Sequence, residues 1–233
     1  MHIGLILDGN GRWAADKGLP RSIGHKRGAE NVETVLMECK RLNVSTVTLY
    51  AFSTENWNRP IYEVKALMSL FKYYLNRKFT TLHQENVKVT IIGEVSPFPK
   101  IIRKYIKNIE NLTEYNDGMQ LNLAMNYGGR DEIVRATKKI SKHVSEGRLH
   151  IDKIDEILFS KYLDTSLQSY PDLIIRTAGE MRLSNFLLWQ SAYSELYFSP
   201  KAWPDFKKED LRKAIDVYGN RSRKFGKILD EKK

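Results

Sequence analysis

The amino-acid sequence predicts an α/β fold: a single domain over residues 1–233, with a mainly parallel central sheet flanked by helices. Short β-branched runs alternate with longer amphipathic segments, which is the pattern of a parallel sheet covered on both faces. No low-complexity linker or internal repeat divides the chain. Apolar residues make up 42% and charged residues 28% of the 233, the balance of an ordinary folded domain.

Each element has its own signal. Ile3–Leu7 reads as a buried strand, followed by a polar, glycine-rich loop from Asp8 to Gly24. From about His25 to Leu42, Val32, Val35, Leu36 and Cys39 fall on one helical face. Val44–Phe52 is a second strand, and its loop ends at Pro60. A long amphipathic helix follows, with Val64, Leu67, Met68, Phe71 and Leu75 at helical spacing. Val87–Ile92 is strand-like and Pro97–Leu112 helical, and Asp117-Gly118 turns the chain into a strand at Met119–Met125. Asp131–Val144 and Ile154–Leu163 are expected to be helices, Leu173–Ile175 and Glu195–Phe198 short strands, and Lys208 to about Arg223 a basic helix.

Composition excludes several classes. The one cysteine, Cys39, rules out an internal disulfide framework and any zinc site of several thiolates, and it fits a reducing, cytoplasmic setting. No apolar run approaches the roughly 18 residues that a membrane span needs. Only Met1–Leu7 precede the first polar cluster, so no signal peptide is expected. Lys and Arg exceed Asp and Glu by 38 − 28 = 10. That excess suits nucleic acid, an anionic membrane face or a phosphorylated small substrate.

In open α/β sheets, ligands sit outside the carboxyl ends of the strands. The unusual residues cluster there: 8–13, 53–59, 126–130 and 176–184. Gly9-Asn10-Gly11-Arg12-Trp13-Ala14 formally matches a dinucleotide fingerprint. Asp8 would repel pyrophosphate, however, and Arg12 and Trp13 are bulky where close backbone approach is needed; the next strand also ends too far on for the ribose-binding acid. No phosphate-binding G-x-x-x-x-G-K-[ST] loop is present either. As an oxygen ligand for Mg²⁺, Asp8 makes sense beside a diphosphate held by glycine N–H groups, Arg12 and Arg21. The same loop reads equally well as an ordinary strand–helix turn with solvated arginines.

Arg176, Arg182 and Ser184 form a second anion-binding candidate. Two basic, glycine-bearing loops at one sheet edge point to two phosphorylated ligands side by side. Between them lie Ser53, Thr54, Glu55, Asn56, Trp57 and Arg59; Trp57 suits the core and Asn56 a turn equally well. The Leu67–Leu75 stripe is either core or the wall that a hydrocarbon tail requires, since burial gains about 0.8 kcal/mol per CH₂.

Taken in order, Asp8–Ala14, Gly24-His25, Tyr50–Pro60, Asn126–Arg130, Arg182–Gln190 and Glu195–Phe198 resemble the cis-prenyltransferase family, most closely its bacterial undecaprenyl diphosphate synthases. The resemblance covers nearly the whole chain. It implies a hydrophobic tunnel and Mg²⁺-dependent, repeated addition of isopentenyl diphosphate to farnesyl diphosphate, giving a polyprenyl lipid carrier. By position, it implies Asp8 as the essential metal-binding aspartate and Glu195 as a second metal carboxylate. Gly9, Asn10, Gly11, Arg12, Arg21 and His25 would cradle the allylic diphosphate, with Trp13 alongside. Asn56 would serve as proton acceptor, flanked by Ser53, Thr54, Glu55, Trp57 and Arg59. Arg176, Arg182, Leu183 and Ser184 would hold the isopentenyl diphosphate, and Glu63 matches an acidic position tied to activity. A homodimer is implied, in the cytoplasm or peripheral to the inner membrane face. Ala178 and Met181 depart from the family pattern.

Two observations bear on rival readings. The paired-aspartate D-D-x-x-D pattern of all-helical trans-prenyltransferases is absent. Arg221, Arg223, Lys224 and Lys227 support a nucleic-acid or membrane binding module, but no nucleic-acid motif accompanies them, so no nucleic-acid partner is expected.

Overall fold

The computed structural model describes residues 1–77, 79–166 and 168–221. Six strands form one sheet: β1 (His2–Ile6), β2 (Thr46–Ser53), β3 (Lys88–Ile92), β4 (Gln120–Tyr127), β5 (Leu173–Arg176) and β6 (Glu195–Phe198). Their order is β3-β4-β2-β1-β5-β6, and every pairing is parallel. Register brings Ile6 level with Tyr50 on one side and Arg176 on the other, so the loops leaving β1, β2 and β5 start from one edge.

Alternate strand residues face opposite layers. Leu5, Leu49, Leu123 and Ile175 point into the larger core, shared with helices α2 (Arg21–Arg41), α3 (Ile61–Arg77), α5 (Lys100–Thr113) and α8 (Lys208–Gly219). Ile6, Ala124, Ile174 and Tyr127 point into a smaller core with Phe186 and Leu187. On that side, α6 (Gly129–Ser145) attaches through Glu132, which accepts a hydrogen bond from the Tyr127 hydroxyl at 2.6 Å. The short helices α4 (Phe79–Gln84) and α7 (Glu156–Ser160) complete the set.

Three expectations are corrected. The segment after β1 is not a continuous loop: it holds α1 (Asn10–Asp16), and α2 begins at Arg21, immediately after Pro20, rather than at His25. The glycines serve close helix packing. A Cβ at Gly24 would lie 1.9 Å from the Asn10 carbonyl oxygen, and one at Gly28 2.1 Å from Asn10 Oδ1. The helix expected over Ile154–Leu163 is the single turn of α7, started where Asp155 accepts from the Leu158 N–H at 2.7 Å. The C-terminal helix ends at Gly219, and Arg223, Lys224 and Lys227 lie outside the described residues.

Candidate active site

A cavity of about 670 Å³ opens at the carboxyl edge of β1, β2 and β5 and runs between the sheet, α2 and α3. Its ends differ in chemistry. Asp8, Asn10, His25, Asn56, Arg59 and Arg176 line the polar part, with Ser53, Glu55, Arg182, Ser184 and Asn185. Leu49, Leu67, Leu70, Phe71, Leu75 and Leu123 line the greasy part. Strand alternation supplies the sheet side of that wall, and the i, i+3, i+4 spacing of α3 supplies the other.

Asp8 follows β1 in a tight turn. Its N–H donates to Thr177 Oγ1 at 2.9 Å, and the Thr177 hydroxyl donates back to the Asp8 carbonyl at 2.8 Å. Arg176 Nη2 donates to Asp8 Oδ2 at 2.8 Å and the Gly9 N–H to Oδ1 at 2.7 Å; the Arg12 guanidinium lies 3.7 Å from Oδ2. Burial pushes the Asp8 carboxyl up, but the Arg176 and Gly9 hydrogen bonds and the two arginine charges outweigh it and hold it below its ordinary value. The group is therefore an anion at neutral pH, aimed into a cationic mouth.

Arg176 also fixes the neighbouring loop. Its Nη1 donates to the Arg182 carbonyl at 2.5 Å and to Ser184 Oγ at 2.6 Å. Arg182 pairs with Glu180, whose other oxygen meets Arg12 at 2.9 Å. Ser184, Asn185 and Leu187 adopt left-handed backbone at φ 48°, 67° and 44°. Such backbone in non-glycine residues persists only where surroundings over-determine it. Here Phe186 and Leu187 are fully buried and Asn185 makes three anchors. Its carbonyl and Oδ1 accept from Gly129 and Arg130 N–H at 2.7 and 2.8 Å, and Nδ2 donates to Glu55 Oε1 at 2.8 Å.

The third cluster gathers around Glu63, buried on the first turn of α3. Its carboxylate meets Arg21 Nε at 3.2 Å, His25 Nε2 at 3.0 Å and Arg59 Nη1 at 2.8 Å. Burial pushes Glu63 up, but His25, Arg59 and Arg21 outweigh it and hold it low. Burial also lowers His25 and the two arginines add to that, against the opposing pull of Glu63. A neutral His25 beside an ionised carboxylate places the imidazole proton on Nε2.

The remaining sequence-derived residues sort by position. Gly9 (φ 93°) starts α1, where a Cβ would lie 2.7 Å from that of Ala178; one at Gly11 would lie 2.6 Å from the Arg21 guanidinium. Trp13 carries Lys17 over its ring at 5.1 Å and does not line the cavity. Asn56 accepts from the Ser53 N–H at 3.2 Å, so its Oδ1 fixes the turn after β2. Trp57 packs edge-on to Phe52 at 4.9 Å and donates to Asn126 Oδ1 at 2.8 Å, in the core rather than on the cavity wall. Leu183 packs toward the smaller core, and Thr54 stands beside Gly128.

Glu195 is not brought to Asp8. It pairs level with Leu173 at the amino end of β6, whereas Asp8 lies past the carboxyl end of β1, roughly 10 Å or more away along the strands. It pairs instead with Arg221 at 2.6 Å. Among the described residues, no three His, Cys, Asp or Glu side chains cluster to hold a metal. The site residues that the sequence reading missed are Asn185, Tyr50 and Thr177. Asn185 adjoins Ser184 in a motif already singled out, and the Tyr50 hydroxyl donates to the Ser184 carbonyl at 3.2 Å.

The family profile described as "Putative undecaprenyl diphosphate synthase" matches residues 6–226. This chain belongs to that family. It is 52% identical over 227 residues to the isoprenyl transferase of Clostridium tetani, covering 97% of this chain and 89% of the relative. It is 47% identical to the ditrans,polycis-undecaprenyl-diphosphate synthase ((2E,6E)-farnesyl-diphosphate specific) of Pasteurella multocida, covering 97% and 94%. The crystal structure of lavandulyl diphosphate synthase from Lavandula x intermedia, in complex with dimethylallyl diphosphate, superposes with a TM-score of 0.95 at 38% identity, covering 97% and 98%. The protein is therefore a cis-prenyltransferase with the α/β fold that its sequence predicts. No helix among its described residues is long and apolar enough to cross a membrane.

Proposed function

We propose that this cis-prenyltransferase adds isopentenyl diphosphate units to farnesyl diphosphate, with a cis double bond formed each cycle, ending at undecaprenyl length. The observation that carries this reading is a single cavity joining an arginine-ringed, ionised Asp8 to a hydrocarbon wall. The Pasteurella relative's name supports the primer and the product.

In each cycle the allylic C–O bond breaks and its electron pair leaves with diphosphate. A C–C bond forms to the terminal alkene carbon of isopentenyl diphosphate, which then loses a proton. Preorganised positive charge lowers the barrier by meeting charge as it develops on the leaving group. Arg12, Arg21, Arg59 and His25 hold the allylic diphosphate over the turn of Gly9, Asn10 and Gly11. Arg176, Arg182 and Ser184 hold the isopentenyl diphosphate, and fixing both substrates in line removes the entropy cost of their encounter. An amide is a poor base and Asn56 Oδ1 already accepts from Ser53, so Asn56 positions substrate while a diphosphate oxygen takes the proton.

Asp8 fits Mg²⁺, which binds through one or two carboxylates and fills its shell with substrate phosphates and water. Its carboxylate is ionised and partly exposed, and no metal-holding cluster of three acids or histidines forms among the described residues, so diphosphate oxygens would complete the coordination. When bound, the ion neutralises charge on the departing diphosphate. Glu195 could join it only from a second copy of the chain.

The whole chain acts as one catalytic domain and pairs as a homodimer. Supporting that, β6 is an edge strand, and beside it Ile157, Tyr170 and Tyr193 are exposed around a depression shared with Trp189. Unpaired strand edges and exposed apolar patches mark association surfaces. The enzyme would work in the cytoplasm, peripheral to the membrane that receives its product.

The test is incubation of the purified chain with farnesyl diphosphate, isopentenyl diphosphate and Mg²⁺, followed by product-length analysis. A polyprenyl product near eleven units is expected, from the product in the Pasteurella relative's name. A product stopping after one or two additions would make it a short-chain synthase, and no product would overturn the reading.

A further inference from the structure

Helix α3 has two faces with opposite tasks. Leu67, Leu70, Phe71, Tyr74 and Leu75 line the cavity, whereas Ile61, Tyr62, Lys65, Ser69, Lys72 and Tyr73 point outward, all exposed. The one acidic residue of the helix, Glu63, is buried among its cationic partners, so this outer face carries lysine, isoleucine and tyrosine without a carboxylate. Glu30 and Glu33 of α2 lie on the Tyr74 side. Tyr73 touches Tyr74 edge-on at 5.3 Å, so one helix thickness separates the outer surface from the cavity. Helix α5 packs against α3 and adds exposed Lys100, Arg103, Lys104 and Lys107, with no acid before Glu110. Neither Lys65 nor Lys72 has an ion-pair partner among the described residues.

Basic residues interleaved with exposed aliphatic and aromatic side chains on one helix face are the pattern of a helix that lies at a bilayer interface. Tyrosine rings settle at the headgroup level, and lysines near an anionic leaflet gain electrostatic attraction. We propose that the outer face of α3, flanked by α5, docks the enzyme on an anionic lipid bilayer, setting the helix that walls the hydrocarbon cavity against the phase its product must enter. The inference deepens the prenyl-chain reading of the cavity and rests on it.

The test is sedimentation of the full-length protein with vesicles of phosphatidylethanolamine and phosphatidylglycerol, and with vesicles of phosphatidylcholine alone. Binding is expected for the anionic vesicles and should weaken with salt. The pair Lys65→Gln/Lys72→Gln should lose about thirtyfold in vesicle affinity, from the usual contribution of each lysine at an anionic surface. Lys138→Gln/Lys139→Gln, on α6 in the opposite layer, should bind as wild type. Tyr73→Ser should weaken binding further without changing product formation in vesicle-free solution. Equal affinity of wild type for both vesicle types, equal losses in both lysine pairs, or no binding at all would each overturn the docking face. Prenyl transfer measured separately in vesicle-free solution tells such a failure from failure of the catalytic reading.

Discussion

Two buried glutamates, one on each side of the sheet, show what separates a site from a scaffold. Glu63 meets two arginines and the neutral His25 imidazole at the cavity mouth and is held ionised. Glu132, on α6, is equally buried but meets no cation among the described residues. It accepts from the Tyr127 hydroxyl at 2.6 Å, Gln190 Nε2 at 3.0 Å and the Asp164 N–H at 2.9 Å. Burial pushes its carboxyl up, the charge of Asp164 adds to that, and the three hydrogen bonds recover only part. Burial and satisfied hydrogen bonds are thus common to both. What differs is charge: one carboxylate gathers two arginines at the cavity mouth, and the other ties β4 to the segments around Asp164 and Gln190.

Substitutions should divide along that line. Asp8→Ala should lower turnover roughly a thousandfold, the scale of removing a principal charge-stabilising group, in a protein that still folds although Arg176 and the Gly9 N–H lose their acceptor. A loss below tenfold in single-turnover assays would place the leaving group elsewhere. Glu132→Ala should do the reverse: leaving the Tyr127 and Gln190 donors unpaired costs about 3 kcal/mol of stability, seen as a lower denaturation midpoint, with activity per folded molecule preserved. Glu63→Gln should cost roughly 10–100-fold in kcat/KM, mostly through KM for the allylic substrate, because Arg21, His25 and Arg59 lose their common anchor. If Glu63→Gln altered only stability, the contrast between the two glutamates would disappear.

The smallest effect is in pH dependence. Burial lowers His2 and His25 below 6.5 in the folded protein, so between those folded values and 6.5 the unfolded chain binds more protons. Stability should therefore be flat above that range and decline as pH falls through 6.5. A further loss should follow below the ordinary carboxylate range, as Asp8 and Glu63 protonate. Melting curves from pH 8 down to about 2 measure both declines, and His25→Gln should flatten part of the first.

The strands and the long helices were legible because period 2 and period 3.6 survive in their apolar residues. Helix α1 was not, because Gly9 and Gly11 signal a loop locally, while their actual demand comes from Ala178 and Arg21, distant in sequence. Asp8, Arg176 and Ser184 could be placed at one edge from loop positions alone, and the structure brings them into one hydrogen-bonded group. Trp57 was ambiguous in sequence, since an indole near polar residues suits either core or ligand, and packing against Phe52 and Phe98 decides it. The separation of Glu195 from Asp8 depends on the β5–β6 register, which no local pattern encodes.

On the prenyl-transfer reading, the anion of the substrate lies against Asp8 and its tail against α3. A crystal structure of this protein with farnesyl diphosphate and Mg²⁺ is the decisive experiment. The phosphates should lie beside the Asp8–Arg12 turn within reach of Arg21 and Arg59, and the chain should run along Leu67, Phe71 and Leu75. Phosphates bound away from that turn, or a tail lying outside the cavity, would contradict it.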